Sequence, residues 1–267
     1  MPKITIIYRV CDGIDMLHTT KAEGTHEGNR FSGRFYDIPK HYLIKKCLSS
    51  VRDAINAANR LDGDDRISIE FICVYDNCTE DTRNFIKSLI PDAKMVCCEG
   101  NGNGDSFATC INIANNMVDD DTIVFFLEDD YSFLSQDGLI KSVKMLESVK
   151  NRNGRWCAMF LDDYPDRYDE DFERKNTTVS VTPFGHLMKI DSSTCSFMTY
   201  VGVVKKHYGE FIKFREYPKV LEHDSVDNVW KTVDLYCPIP ALTLHCQLKQ
   251  HIPVYLNADS LKKIMES

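Results

Sequence analysis

Residues 122–131 read Thr-Ile-Val-Phe-Phe-Leu-Glu-Asp-Asp-Tyr. The run from Ile123 to Leu127 is apolar throughout, with no polar residue alternating into it. Such a run is expected of a strand covered on both faces, as in a parallel sheet. It delivers three carboxylates in succession, Glu128, Asp129 and Asp130. Residues two apart in an extended segment share a face, so Glu128 and Asp130 are expected to look into one site. Two carboxylates within reach raise each other's pKa unless a cation intervenes. Mg²⁺ or Mn²⁺, hard ions with a preference for oxygen, would meet that need. A solvated acidic turn before the next helix accounts for the segment alone equally well.

Outward from this stretch the elements alternate. Residues 4–10 read as a first strand, and the polar, glycine-dotted residues 11–38 as a long loop at its end. Pro39 opens a helix whose apolar stripe is Ile44, Leu48, Val51, Ile55 and Ala58. A second strand is expected over 67–75, then Thr79 as the cap of a helix carrying Phe85, Ile86 and Leu89. A third strand over 94–98 leads through the glycine-rich turn 99–105 into a helix with Phe107, Ile111 and Ala114. After the fourth strand, Ser135 is expected to cap a helix with Leu139, Val143, Leu146 and Val149. Strand and helix in turn predict an α/β fold: a mostly parallel central sheet with helices on both faces. Ligands bind such sheets at the carboxyl ends of the strands. Those ends are 10–13, 75–77, 99–105 and 128–131, so the acids of 128–130 fall on that edge.

Beyond residue 155 the alternation weakens. Residues 156–161 suggest a strand, 162–175 a solvated loop with seven acids against three bases, and 179–190 a hairpin around Pro183-Phe184-Gly185. Residues 203–215 and 225–230 are expected to be helical, and the segment after Pro238 and Pro240 extended as far as His245. With no repeat and no low-complexity linker, residues 1–267 are expected to form a single domain.

The composition narrows the function. A chain of 267 residues, 43% hydrophobic and 27% charged, carries enough apolar material for a core of ordinary size. Its net charge of −8 excludes a global basic footprint for nucleic acid. No apolar stretch approaches the ~18 residues of a membrane span, so no transmembrane segment is expected. Eleven cysteines, many inside apolar runs and none in a C-x-x-C pair, point to free thiols and a cytoplasmic setting rather than zinc or disulfides.

Three segments taken in order resemble the GT-A-fold nucleotide-sugar glycosyltransferases of glycosyltransferase family 2: residues 69–82 (IEFICVYDNCTEDT), the turn with Asn103-Gly104, and FFLEDDY over 125–131. The resemblance covers residues 3–135 well and 190–250 loosely. It implies a GT-A fold, with a nucleotide-sugar-binding half over 1–135 and an acceptor-binding, catalytic-base half over 136–267. It implies transfer of a sugar from a UDP- or GDP-sugar to a hydroxyl of a glycan, lipid or small acceptor, inverting and assisted by Mn²⁺ or Mg²⁺. Asp76 then matches the acid that binds the nucleobase, and Arg9 and Cys11 the loop that frames base and ribose. Asn103 and Gly104 lie near the donor. Glu128, Asp129 and Asp130 stand at the D-x-D position, departing from it by a glutamate in the first place. Asp130 is the foremost metal ligand, with Glu128 reaching donor ribose or metal.

The reaction needs a base to take the acceptor proton. The resemblance implies a base in an acidic pair at a helix start well after D-x-D, which points to Glu222-His223-Asp224, with Asp224 ahead of Glu222. Asp224 at a helix start suits a cap as well as a base. His245 is the expected late histidine near the metal or diphosphate, with a structural imidazole as the plainer reading. Ser193, Thr194 and Ser196 form a polar run fit for the acceptor site, and Trp156 and Trp230 are either sugar platforms or core. Two other function classes remain open at this point. A nucleotidylyltransferase would carry a basic, glycine-rich loop after its first strand, where this chain has Cys11-Asp12-Gly13. A non-catalytic cation- or carbohydrate-binding module would bind ligand without turnover.

Overall fold

The computed structural model describes residues 1–12, 39–98, 102–168, 178–194 and 196–266. Residues 13–38 of the long loop, the turn residues 99–101 and half of the acidic stretch 162–175, from residue 169 on, lie outside the described residues.

The four expected strands of the first half are present: β1 (Lys3–Val10), β2 (Ser68–Tyr75), β3 (Lys94–Cys97) and β4 (Ile123–Glu128). They lie in the order β3-β2-β1-β4, all parallel. Register places Arg9 beside both Val74 and Glu128. The connecting helices are α1 (Lys40–Asn59), α2 (Glu80–Leu89) and α3 (Asn103–Asn115), and α4 (Gly138–Asn153) follows β4. In α1, Ile44, Leu48, Val51, Ile55 and Ala58 are all buried, together with Leu43, Cys47 and Ala54 between them.

Successive residues of β4 reach opposite faces, as the pleat requires. Phe125 packs on Phe133, and Phe126 on Phe107 of α3. Helices α2 and α4 pack with α1, whereas α3 packs with the helical residues 201–212. The sheet is therefore sandwiched, as the sequence predicted.

The second half extends the same sheet. Five strands follow β4 in space, β9 (Phe197–Tyr200), β6 (Ala158–Phe160), β10 (Leu235–Ile239), β8 (Gly185–Ile190) and β7 (Val179–Thr182), giving nine in all. Strands β9 and β8 run against the other seven. The outcome is a mostly parallel sheet in which β4 and β6 point the same way, each antiparallel to β9. A two-stranded ribbon, β5 (Tyr131–Phe133) with β11 (Thr243–His245), lies beside the end of β4. Its register sets His245 opposite Tyr131.

Three expectations are corrected. The helix after β4 starts at Gly138, and Ser135 does not cap it: the Ser135 hydroxyl donates instead to the Asp137 carboxylate. Residues 203–215 are not one helix but the helices Val201–Lys206 and Tyr208–Ile212 and a tight turn to Glu216, because His207 at φ −112°, ψ 18° leaves helical geometry. Asp162 and Asp163 are fully buried rather than solvated.

Candidate active site at the carboxyl edge of the sheet

The strand ends gather four sets of polar groups on one edge. At the end of β1, Arg9 is buried and donates to the Asn103 carbonyl at 3.0 Å, to the Asn103 side-chain oxygen, and to Glu128. Asn103 is the first residue of α3, so this guanidinium ties β1, α3 and β4 together. Gly104 follows, and a Cβ there would sit 2.6 Å from the Phe214 carbonyl oxygen, a distance backbone atoms cannot absorb. A glycine therefore allows the tight seating of the α3 start against residues 213–216.

At the end of β2, Asp76 is half-buried, and its N–H donates to the Val10 carbonyl at 3.0 Å. Its carboxyl is raised above the usual carboxylate range: burial and nearby Asp105 outweigh a hydrogen bond from the Gly102 backbone and the charge of Arg9. Asn77 turns the chain with φ +47°. The α2 start is capped from β1, since Asp12 accepts from the Thr79 N–H at 2.9 Å and from both threonine hydroxyls, Thr79 and Thr82. Those bonds overcome burial and lower the Asp12 pKa.

The acids of β4 separate. Glu128 ends the strand and turns to Arg9, and its N–H is received by the Ser196 hydroxyl at 2.8 Å. Asp129 is buried against the Lys40 ammonium and accepts the Cys11 N–H at 2.9 Å. Asp130 reaches neither cation. Its Oδ2 lies 3.4 Å from His245 Nε2, and its buried Oδ1 has no hydrogen-bond partner among the described residues. The expectation that Glu128 and Asp130 share a face fails because the chain leaves the strand at Glu128, and Asp129-Asp130 form a turn. Glu128 is accordingly engaged by Arg9, away from the Asp130–His245 pair. Burial raises the Asp129 carboxyl although Lys40 opposes it, whereas at Asp130 the charges of His245 and Lys40 prevail over burial and hold the carboxyl far down.

His245 is held by aromatic neighbours. Its ring stacks on Tyr131 at 4.3 Å and on His251 at 4.5 Å, and its Nδ1 lies 2.6 Å from the Tyr164 hydroxyl. Beneath it, Asp162 accepts from the Thr243 hydroxyl at 3.0 Å. Burial pushes the Asp162 carboxyl up to about 7 against the charges of His245 and Arg167, and its Oδ2 is also without a partner among the described residues.

The residues expected in the base segment lie apart from this cluster. Asp224 is exposed in the first turn of the helix Glu222–Trp230 and accepts the Leu221 N–H at 3.3 Å. Glu222 precedes it in the same turn. The helix is nonetheless docked to the edge: Asp227 accepts from the Ser192 hydroxyl and the Ser193 N–H, and Ser196 of that same segment reaches Glu128. Trp230 is buried and donates to the Ser193 carbonyl, and Trp156 donates to Asp121, so both serve structure here.

Among the described residues no group of three or more His, Cys, Asp or Glu is arranged to hold a metal ion. Two carboxylates have an unpartnered buried oxygen among the described residues, Asp130 and Asp162, and Asp130 has the His245 Nε2 beside its other oxygen. Ten described cysteines are free thiols, and among the described residues no helix is long and apolar enough to cross a membrane.

The fold resembles several solved transferases. One is 4-diphosphocytidyl-2C-methyl-D-erythritol synthase from Anaerococcus prevotii, 11% identical, covering 100% of this chain and 97% of that one, with a TM-score of 0.44. Another is S. aureus TarS 1-349, 11% identical over 88% of this chain and 60% of that chain, with a TM-score of 0.46. A third is glucosyl-3-phosphoglycerate synthase from Mycobacterium tuberculosis, in complex with Mn²⁺, UDP and phosphoglyceric acid. It is 13% identical over 60% of this chain and 43% of that chain, with a TM-score of 0.33. No model of a known protein family and no curated protein matches the chain. At such identities the site is read from its own residues.

Lys40, Asp162 and Tyr164 are not among the expected site residues, and Ser196, expected at the acceptor site, instead receives the Glu128 N–H. For Asp162 and Tyr164 a signal existed: Phe160-Leu161-Asp162-Asp163-Tyr164 repeats the pattern of Leu127 to Tyr131, an apolar strand ending in acids and a tyrosine.

Proposed function

We propose that the chain is a GT-A-type glycosyltransferase that moves a sugar from a UDP- or GDP-sugar to a hydroxyl of a glycan, lipid or small acceptor. One observation carries this reading. Asp130 is a buried carboxylate at the end of a central parallel strand, with one oxygen unsatisfied among the described residues and an imidazole beside the other. Burying such a group is costly unless a partner arrives. Glu128 and Asp129 already have cations of the chain itself, so Asp130 and His245 would hold the Mn²⁺ or Mg²⁺. When bound, such an ion supplies charge neutralisation for a departing diphosphate.

The other residues have roles that need no ion. Asp76 offers its half-buried oxygens to the N–H edge of a nucleobase, and Arg9 and Asn103 fix the neighbouring strand and helix. Residues 1–135 thus serve the donor and 136–267 the acceptor. Asp224, or Glu222 beside it, takes the proton of the attacking hydroxyl, and the nucleoside diphosphate leaves from the opposite side in an inverting displacement.

The test is a panel of UDP- and GDP-sugars with Mn²⁺ or Mg²⁺, read by donor hydrolysis and by thermal stabilisation with the nucleoside diphosphate. Metal-dependent stabilisation and donor cleavage are expected. Stabilisation by nucleoside triphosphates with pyrophosphate release would instead make the protein a nucleotidylyltransferase. Binding with no turnover of any donor would make it a binding module.

A further inference from the structure

The pattern of an apolar strand ending in acids and a tyrosine occurs twice, at the ends of β4 and β6. Because both strands run antiparallel to β9, both tails emerge on the same edge. They meet through their tyrosines, whose hydroxyls are 3.1 Å apart, and His245 of β11 is held by both tails. The β4 tail supplies Asp130 to Nε2 and the Tyr131 ring to the imidazole face. The β6 tail supplies the Tyr164 hydroxyl to Nδ1, and its Asp162 accepts from Thr243, two residues before His245 on β11. Tyr164 is half-buried among these groups, and its ring also stacks on His251 at 4.8 Å.

We propose that Tyr164 is the positioning residue of His245, fixing the rotation of the ring so that Nε2 faces Asp130 in either tautomer. The proposal rests on the reading of Asp130 and His245 as the cation-holding pair. Neutral imidazole has one N–H and one bare nitrogen, and the partner of one nitrogen decides the state of the other. A phenol hydroxyl can accept from Nδ1–H while donating to Tyr131, which leaves Nε2 bare and directed at Asp130. Two acceptors facing each other at 3.4 Å attract a cation between or beside them. The same hydroxyl can turn and donate to Nδ1, which places the proton on Nε2 toward Asp130. Tyr164 therefore lets His245 keep one orientation whether Nε2 meets a proton or a metal. Partners of this kind, one bond removed from a metal, typically change affinity 10–100-fold when lost.

The experiment titrates Mn²⁺ alone into the full chain at fixed pH, with bound ion read by electron paramagnetic resonance and histidine nitrogen by pulsed measurement of its coupling to Mn²⁺. The wild type is expected to bind with a nitrogen coupling. Tyr164→Phe keeps the ring stack and loses the hydroxyl. It is expected to bind roughly 10–100-fold more weakly, with the nitrogen coupling lost or broadened and the melting temperature in chelator close to wild type. Tyr131→Phe, one hydroxyl further away, is expected to change affinity less. Unchanged affinity and coupling in Tyr164→Phe, while His245→Ala and Asp130→Ala both abolish binding, overturns this proposal and leaves the proposed function standing. Unchanged Mn²⁺ binding in His245→Ala and Asp130→Ala overturns both.

Discussion

Lys40 and Asp129 form an ion pair in which the lysine side chain is 8% and the aspartate 9% exposed. Lys40 opens α1 and Asp129 follows β4, so the pair joins the first helix to the acidic turn. Removing one partner of a buried pair leaves the other charged and unsolvated, at a cost of about 3–5 kcal/mol. Lys40→Met is expected to destabilise the protein by that amount. Adding Asp129→Asn should recover most of it, because the stranded charge is gone. Urea unfolding of wild type, single and double variants measures both terms, and additive losses would contradict the coupling.

Asp130 has a different dependence. Its Oδ1 is unsatisfied among the described residues, so Asp130→Asn removes a charge without removing a protein partner of that oxygen. The variant is expected to fold with a far-ultraviolet spectrum close to wild type but to melt lower in chelator, because it gives up the attraction of His245 and Lys40 that holds the Asp130 carboxyl far down. A nucleoside diphosphate at 100 times its dissociation constant stabilises a protein by about 2.7 kcal/mol. With Mn²⁺ present, that gain is expected in wild type and not in Asp130→Asn. Equal gains in the two would remove Asp130 from the donor site.

The first half of the fold is legible because its strands are long, apolar and separated by helices of ordinary length. β1, β2 and β4 could be read from their own composition, and so could the stripe on α1. The second half hides in short segments. β6 has three residues and β9 four, too few for a period, and β9 inserts between β4 and β6 in space although it follows both in sequence. At the site, position along the chain located Arg9, Asp76 and Asp130 at the right edge. It did not locate their partners. Pairing Glu128 with Asp130 carries the alternation rule two residues past the end of the strand. Seven acids in fourteen residues read as a hydrated loop, although the first two are buried. What marks them is the apolar run just before, the same cue that marked Glu128 to Asp130.

Gly104 is the one position where the start of α3 has no space for a side chain. Phe214 O at 2.6 Å and Arg215 Cα at 3.2 Å are backbone atoms, so a methyl group displaces a segment rather than a rotamer. Gly104→Ala is expected to cost about 1–3 kcal/mol, the range for overpacking. The displacement would also move Asn103, whose two oxygens receive Arg9. Nucleotide binding should therefore weaken more than in a control such as Gly209→Ala, where a Cβ meets nothing within 4 Å. Calorimetric titration alongside thermal melting separates the two effects, and equal nucleotide affinity in both variants would place the α3 start outside the donor site.

Asp162 gives the protein a specific dependence on pH. Burial raises its folded pKa to about 7 from an unfolded value of 3.8. The folded state then holds a proton that the unfolded state has released, so stability contributed by this group is complete below about pH 4 and declines as pH rises through 7. The full span is no more than about 4 kcal/mol, from roughly 1.4 kcal/mol for each pH unit separating the two values. Asp162→Asn resembles the protonated acid in size and can still accept from Thr243. In chelator, the stability difference between Asp162→Asn and wild type is expected to grow in favour of the variant from pH 5 to pH 8. Other titrating groups are common to both proteins and cancel in that difference. Urea unfolding at pH 5, 6, 7 and 8 measures it, and a difference that stays constant or shifts toward the wild type would mean that Asp162 is ionised in the folded protein throughout.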